Sequence, residues 1–528
     1  MVAFSCNAPR LTRRSFLARA ASAGTLAATG TLARPYLSRA ADRPKITHGV
    51  QSGDVSMDSG VVWARADRPS RMLVEISTTD SFKSILSSVA IDALPETDFT
   101  AKALIESLPA GQDIFYRLRF EDLAAPTISS EALVGRFRTA PADRRDVSFV
   151  WSGDVAGQGW GIDESRGGML SFATMRKSRP DFFIHSGDSI YADCPIESEL
   201  KLPNGETWRN LVSEEKAHVA TTLNDYRGNY KYNLLDANLR AFNAEVPVFA
   251  QWDDHEVTND WWPGQTRDDY ANVNASLLAA HGRRAFCEYM PMRQTLADMG
   301  RIYRKIGYGP LLDVFLLDMR SYRGSNERIS DASPGPDCRI LGAAQVAWLK
   351  RELSRSNATW KVIAADLPLS IVSTDAVAQS DGAPLGREFE IADVLSFIKH
   401  AGIRNTVWIT ADMHYTAAHY YDPNRAVYQD FEPFWEFVSG PLHAGTWGPG
   451  ALDNTFGPQV RYQNGCNAEQ GENLAPCFGL QFFGHVAIDG ATEAMTVTLK
   501  DVNDRDLWAV TIEPKLVRWT GAPAALRI

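Results

Sequence analysis

The sequence has few cysteines, no excess of basic residues and, after its first 41 residues, no long apolar run. Its six cysteines include one at position 6, and the remaining five cannot all pair internally because their number is odd. Cys466 and Cys477 flank a polar loop and are the candidates for a disulfide. The formal net charge of −10 argues against nucleic acid or an anionic membrane surface as a partner. No later segment reaches the roughly 20 apolar residues that a membrane-spanning helix needs.

Residues 1–41 have the features of an export signal and not of a folded domain. Thr12–Leu17 contains a twin-arginine pattern, which an alanine- and glycine-rich run follows, and Ser38–Ala40 offers a small-x-small cleavage site. The segment has six arginines and no acidic residue, so the rest of the chain has a formal net charge of −16. The sequence therefore predicts export by the twin-arginine machinery and a periplasmic or secreted mature protein.

At 528 residues the chain is long enough for two domains after this signal. Residues 43–140 contain about seven short segments in which apolar and polar side chains alternate, with turns between them. This pattern predicts an all-β sandwich of the immunoglobulin or fibronectin type. Strands and helices alternate over residues 145–512, which predicts an α/β catalytic domain, and residues 513–528 are a C-terminal tail.

The stretch from Asp181 to Asp193 shows how this second domain presents polar side chains. It contains a short apolar strand, a break at Gly187, then Asp188 and, three residues later, Tyr191. A carboxylate directly after a strand lies at the carboxyl edge of the sheet, where α/β proteins bind ligands. The same pattern recurs, and five predicted strands lead into an aspartate: Asp154, Asp188, Asp254, Asp318 and Asp412. Histidine follows two of these aspartates, as His255 and His414.

Several carboxylates that converge without cations would repel one another, so the pattern predicts a metal cluster. Oxygen-rich ligation without clustered cysteines favours iron(III), manganese, calcium or magnesium over structural zinc. Two adjacent metals can clamp phosphoryl oxygens and yield a metal-bound hydroxide nucleophile near neutral pH. A nearby imidazole such as His255 can protonate the leaving oxygen or stabilise the transition state. The residues alone therefore predict phosphoester hydrolysis.

The sequence resembles a known family, the PhoD-type alkaline phosphatases and phosphodiesterases of the calcineurin-like metallophosphoesterases. The resemblance covers nearly the whole chain, from His48 to about residue 512. It rests on a combination of motifs: Gly187-Asp188-Ser189-Ile190-Tyr191, Trp252-Asp253-Asp254-His255-Glu256-Val257, Leu317-Asp318-Met319-Arg320-Ser321-Tyr322-Arg323 and Asp412-Met413-His414.

The resemblance implies a two-sheet catalytic sandwich flanked by helices, with an N-terminal fibronectin-like domain. It also implies that His255 is the catalytic imidazole and that iron or calcium, or both, is bound; manganese, magnesium or zinc is an alternative. The implied metal ligands are Asp188, Tyr191, Asp254, Asp412 and His414. Asn210 is a further implied ligand, in a region where the loop lengths differ from those of the family.

One position departs from the family pattern. Members often have Ser-Cys after the first catalytic strand, with the cysteine on iron, whereas this chain has Ser152-Gly153-Asp154. Asp154 then takes the place of the thiolate as a ligand, and the loss of a soft donor favours a harder ion.

Several alternatives stay open at the sequence level. Arg320 and Arg323 are candidates to hold a substrate phosphate, although arginines at strand ends usually pair with neighbouring carboxylates. The substrate is a small phosphoester, including phospholipid or nucleotide-derived esters, and a phospholipase D-type diesterase is an alternative activity. A non-catalytic, metal-stabilised binding protein is a further alternative, but a binding site alone has no use for the imidazole of His255.

Overall fold

A computed structural model describes residues 43–266, 273–295, 297, 299–326, 333–379 and 381–515. The predicted export signal and the tail from residue 516 onward lie outside these residues. The described residues from Pro44 onward form one compact unit. None of its described helices is both long enough and apolar enough to span a bilayer.

Strands dominate the described residues. They are β1 Ile46–Gly53, β2 Gly60–Ala66, β3 Ser70–Ser77, β4 Ser87–Ala93, β5 Thr100–Ile105, β6 Asp113–Asp122, β7 Leu133–Arg138, β8 Val147–Ser152, β9 Phe182–Ser186, β10 Glu199–Lys201, β11 Thr207–Arg209, β12 Val248–Gln251, β13 Arg304–Gly307, β14 Leu312–Leu316, β15 Trp360–Ala364, β16 Thr406–Thr410, β17 Thr416–Tyr421, β18 Phe434–Val438, β19 Pro458–Asn464, β20 Phe482–Ile488, β21 Met495–Asp501 and β22 Asp506–Ile512. The α-helices are α1 Leu170–Lys177, α2 Leu223–Asn233, α3 Ala237–Asn243, α4 Ala275–Tyr289, α5 Ala343–Arg355 and α6 Glu388–His400.

Two large sheets pack against each other and form a two-layer sandwich. The nine-stranded sheet has the order β22-β21-β20-β8-β9-β12-β1-β2-β5, and the seven-stranded sheet has the order β13-β14-β15-β16-β18-β17-β19. Apolar side chains of both sheets, such as Ile184 and Val314, share one core. Helices cover the outer faces, where Phe172 of α1 packs with Phe183 and Leu349 of α5 packs with Ile363. The predicted two-sheet sandwich flanked by helices is confirmed.

The N-terminal β region is confirmed as well, but its strands are divided between two sheets. Strands β4-β3-β6-β7 form a separate four-stranded sheet, while β1, β2 and β5 extend the nine-stranded sheet. The reason is that the end of β1 pairs in parallel with β12, where Gly53 lies opposite Val248. At this junction the buried Asp54 forms an ion pair with Arg304, with Oδ1 and Nη2 2.6 Å apart.

The sheet order explains why the strand ends matter. Strands β8, β9 and β12 are parallel neighbours in one sheet, and β14, β15 and β16 are parallel neighbours in the other. Hydrogen bonds join their carboxyl ends across the sandwich: Gln251 donates to the Leu317 and Ala364 carbonyls, and Trp151 donates to the Thr410 carbonyl. The loops that follow these strands therefore face one common site.

Candidate metal centre

A buried carboxylate, that of Glu256, holds two of the site's loops together. Its oxygens accept hydrogen bonds from the backbone N–H groups of Asp188 at 3.1 Å, Ser189 at 2.7 Å and Asp253 at 2.7 Å. The Ser189 hydroxyl adds a fourth bond, at 2.6 Å. Because Asp188 follows β9 and Asp253 follows β12, this single side chain fixes the spacing of two strand ends.

The first group of possible metal ligands is Asp154, Asp188 and His414. One ligand atom from each lies within 4.8 Å of the others, and all three residues are buried. His414 donates from Nδ1 to the Gly445 carbonyl, so in the neutral ring Nε2 keeps its lone pair for the site. The Tyr191 hydroxyl lies 2.7 Å from that Nε2. A carboxylate pair, an imidazole and a phenol therefore lie close together in this first group.

The second group consists of Asp188, Asp254 and His255, again with ligand atoms within 4.8 Å. Asp188 belongs to both groups, so its carboxylate lies between two possible cation positions. The backbone N–H of His255 donates to Asp188 Oδ1 at 3.2 Å, which fixes this carboxylate relative to the second loop. The two groups are therefore joined by one shared side chain.

His255 is oriented by Asp193. Its Nδ1 donates to Asp193 Oδ1 at 2.6 Å, and the other Asp193 oxygen accepts from the backbone N–H of Asn259 at 2.7 Å. The Tyr191 ring packs over the imidazole, with 4.1 Å between ring centroids. Burial alone lowers the pKa of His255, but the carboxylates of Asp193, Asp254 and Asp188 outweigh burial and raise that pKa well above its ordinary value. The bond from Nδ1 to Asp193 leaves Nε2 as the ring nitrogen that faces away from this carboxylate.

Strained backbone accompanies these side chains. Asp154, Asp188, Asp412 and His414 have φ angles of 67°, 50°, 65° and 56°, in the left-handed region that is uncommon for residues other than glycine. Such conformations persist where the surrounding structure determines them, and they concentrate at functional sites. Position 440 requires glycine, because a Cβ there would lie 2.1 Å from Asp154 Oδ2.

The donor set fits a hard metal ion. Burial, with the repulsion of neighbouring carboxylates, raises the pKa values of Asp154 and Asp188 well above the ordinary range of aspartate. Within the described residues, Asp154 Oδ2 and Asp254 Oδ1 are buried and have no hydrogen-bond partner. A bound cation relieves both effects, because it supplies a charge and a partner to oxygens that otherwise lack them. We therefore assign a metal cofactor to these Asp and His groups.

The structure places two of the predicted residues in other roles. Asn210 Oδ1 accepts from the Gly161 N–H at 2.8 Å and from Trp208 Nε1 at 2.7 Å, so both of its lone pairs are used within the loop. This argues against the prediction that Asn210 ligates a metal. Asp318 follows a strand like the other aspartates, but its carboxylate accepts from Trp252 Nε1 at 3.0 Å and from the Ser321 hydroxyl at 2.6 Å.

The two predicted substrate arginines differ in their surroundings. Arg320 has no exposed side-chain surface, and it forms ion pairs with Asp253 and, at 2.5 Å, with Asp375. Arg323 is buried and donates to the Asp375 carbonyl. Neighbouring carboxylates already surround Arg320, so its placement does not support the prediction that it holds a substrate phosphate. Arg323 Nε and Nη1 have no hydrogen-bond partner among the described residues, and the same prediction for Arg323 stays open. Asp412 lies on this side of the site, grouped with Asp253 and Asp254.

Sequence reasoning assigned no role to Asp193, Glu256 or Asp375, although each contacts the predicted site. The signal for Asp193 and Glu256 was present, because each lies within a few residues of a predicted ligand in the quoted motifs. Asp375 lies in the loop after β15, where no strand-end pattern marks it. Cys466 and Cys477 are both free thiols, so the candidate disulfide is absent from the described residues.

Comparison with known proteins identifies the family. The family PhoD-like phosphatase matches residues 149–499, and its N-terminal domain family matches residues 30–141. The chain belongs to the PhoD-like phosphatases. It is 28% identical to alkaline phosphatase D of Bacillus subtilis (strain 168) over 431 residues, which cover 76% of this chain and 68% of the relative. As a PhoD-like phosphatase, the chain is a phosphoester hydrolase.

Two solved structures share the fold of this PhoD-like phosphatase. One, described as the structure of PhoD, has a TM-score of 0.65, 22% identity and coverage of 89% of both chains. The other, a purple acid phosphatase from seeds of yellow lupin (Lupinus luteus), has a TM-score of 0.54, 12% identity and coverage of 89% of this chain and 74% of its own. At these identities the likeness concerns the fold alone.

Proposed function

We propose that this chain is an exported, metal-dependent alkaline phosphatase or phosphodiesterase. The observation that supports this most is that two groups of possible ligands share Asp188 beside an oriented imidazole, His255. A shared carboxylate between two cation positions suits the two-metal arrangement that many phosphoesterases use. Export rests on the twin-arginine pattern, which lies outside the described residues.

The ligands in this proposal divide between two positions. Asp154, His414 and Tyr191 surround the first, Asp254 lies at the second, and Asp188 serves both; Asp412 stays a predicted ligand next to Asp254. Metal ions bound there would polarise phosphoryl oxygens and lower the pKa of a coordinated water. Burial and the neighbouring Asp188 and Asp154 carboxylates raise the pKa of Tyr191. A bound cation would lower this pKa, because its positive charge favours the phenolate.

His255 supplies the proton. Asp193 holds the Nδ1–H, so the proton available for transfer is the one on Nε2. With its pKa raised, the imidazolium persists to a higher pH than that of an ordinary histidine. It can therefore donate a proton to the departing alkoxide and balance the charge on the phosphoryl oxygens.

The direct test is hydrolysis of p-nitrophenyl phosphate and of bis-p-nitrophenyl phosphate before and after chelation. We expect turnover of at least one ester, loss of that turnover on chelation, and recovery when metal is added back. Comparing the two rates assigns the monoester or diester preference. Turnover that survives exhaustive chelation, or no turnover of either ester by protein shown to contain metal, would contradict the proposal. Elemental analysis of the same sample identifies the metals, among which calcium and iron are the expected ones.

Replacing Asp193 by asparagine tests the role of His255 without removing the imidazole. Since the Asp193 carboxylate raises the pKa of His255, its loss lowers that pKa, and the alkaline limb of the kcat–pH profile moves to lower pH. The isosteric amide keeps the loop in place, so bound metal is expected to be unchanged. An alkaline limb at the wild-type pH would show that Asp193 does not set the protonation of His255.

A further inference from the structure

Arg320 lies where the loops of both sheets meet. It follows β14 of the seven-stranded sheet, and its guanidinium contacts carboxylates that follow β12, β15 and β16. Its Nε donates to Asp253 Oδ1, Nη1 donates to Asp375 Oδ2 at 2.5 Å, and Nη2 lies 3.4 Å from Asp412 Oδ1. Asp254 and Asp366 each place an oxygen 3.9 Å from the same guanidinium. A single guanidinium therefore lies beside five aspartate side chains.

The burial of Arg320 argues against its exchanging an aspartate partner for a substrate phosphate. Its side chain has no exposed surface, and Asp366, the carboxylate below it, is equally buried. All three of its nitrogens are directed at carboxylates, so a substrate phosphate would have to displace an aspartate in order to bind. An arginine also keeps its charge at any pH at which the protein is folded. The positive charge is therefore a permanent part of the site.

The grouping of Asp253, Asp254 and Asp412 has a simple explanation in this arrangement. Their oxygens lie within 4.8 Å of one another, a spacing at which carboxylates repel one another unless a cation or protonation offsets their charge. The Arg320 guanidinium lies beside all three of them. It comes from a different strand end from any of these aspartates, so the contact joins loops that no backbone pairing joins directly.

We infer that Arg320 is the resident cation of the acidic site, which assembles the strand-end carboxylates of both sheets before metal binds and holds them at the spacing that metal requires. Arg320 is thus a positioning residue, not a substrate ligand. This inference deepens the proposed metal centre and rests on it. Its consequence is that the chelated protein depends on Arg320 more than the metal-loaded protein does, because bound metal supplies a second source of positive charge.

The test compares three variants of the full chain, each in metal-loaded and chelated form. Arg320→Met removes the charge and keeps most of the stem, and Arg320→Lys keeps the charge with fewer donors. Arg387→Met is the matched control: Arg387 is also fully buried, but its guanidinium donates to the carbonyls of Ala376, Ser325 and Thr374. The measurements are the urea midpoint of unfolding, kcat and KM.

We expect Arg320→Met to widen the difference in urea midpoint between the loaded and chelated forms by about 1 M relative to wild type. Arg320→Lys widens it by less, and Arg387→Met lowers both midpoints without changing their difference. The KM of the loaded Arg320 variants stays within about twofold of wild type, since substrate does not contact this residue. If Arg320→Met does not accumulate as folded protein, Arg320→Lys and Arg387→Lys are compared in the same way.

Three outcomes would overturn the inference. Equal losses in both forms would make Arg320 an ordinary core residue, and unchanged midpoints with an unchanged KM would show that the carboxylates assemble without it. A KM raised about tenfold with unchanged midpoints would make it a substrate ligand. Failure of the proposed function appears separately in the wild-type protein. Without a metal centre its urea midpoint would not depend on metal, and without phosphoesterase activity the metal-loaded protein would turn over neither ester.

Discussion

Replacing Asp188 by asparagine is expected to abolish turnover and to remove metal from both positions. The carboxylate is the one ligand that the two groups share, and an amide has neither its charge nor its second anionic oxygen. Losing the electrostatic contribution of the metals, which is several kcal/mol, corresponds to a fall in kcat/KM on the order of 10³-fold or more. The measurements are kcat/KM for p-nitrophenyl phosphate and metal content by elemental analysis. Asparagine tolerates the left-handed backbone at this position, so the substitution tests the charge and not the fold.

Asp318→Asn is the matched control for this experiment. Asp318 is a buried aspartate that also follows a strand, but its oxygens bond to Trp252 and Ser321 and belong to neither metal group. The control variant is expected to keep its metal, with a modest loss of stability from the weakened hydrogen bonds. If Asp188→Asn protein binds the same number of ions as wild type, the shared-ligand geometry is wrong.

The second large effect is expected from His255→Ala. Removing the imidazole takes away the proton donor, and kcat falls by about 10² to 10⁴-fold while bound metal is retained. The loss is greater for an alkyl phosphate than for p-nitrophenyl phosphate, because an alkoxide needs the proton to leave and a nitrophenolate does not. Steady-state kinetics on the two esters, with elemental analysis of the same samples, provide the measurement.

His185→Ala serves as the comparison for His255→Ala. His185 lies within β9, is buried, and belongs to neither group of possible ligands. Per folded molecule, this variant is expected to keep its activity and its metal. Loss of metal from the His255→Ala protein would identify His255 as a ligand, and equal losses on both esters would exclude proton donation to the leaving group.

Much of the fold and site was predictable because strand ends repeat a simple pattern. A short apolar strand, a glycine or polar turn and then an aspartate occurs at Asp154 and Asp188, and parallel strands bring such ends to one edge. The structure places both carboxylates in one group with His414. The pattern was informative because it depends on sheet geometry, which short-range sequence determines well.

The same pattern could not tell where each side chain points. Asp318 fits the pattern as well as Asp188 does, yet its carboxylate accepts a hydrogen bond from the indole of Trp252. Arg320 looked like a phosphate ligand because the sequence shows its charge but not the five aspartates that three other loops bring around it. Such partners come from distant parts of the chain, and only packing of the two sheets brings them into contact.

The pairing of β1 with β12, with the Asp54–Arg304 ion pair beside it, means that the N-terminal strands are not a detachable module. A truncated protein that began near residue 145 would leave Arg304 without its carboxylate and would open the edge of a sheet that carries two catalytic loops. The sequence presents these strands as part of a separate domain, but β1, β2 and β5 complete the nine-stranded sheet.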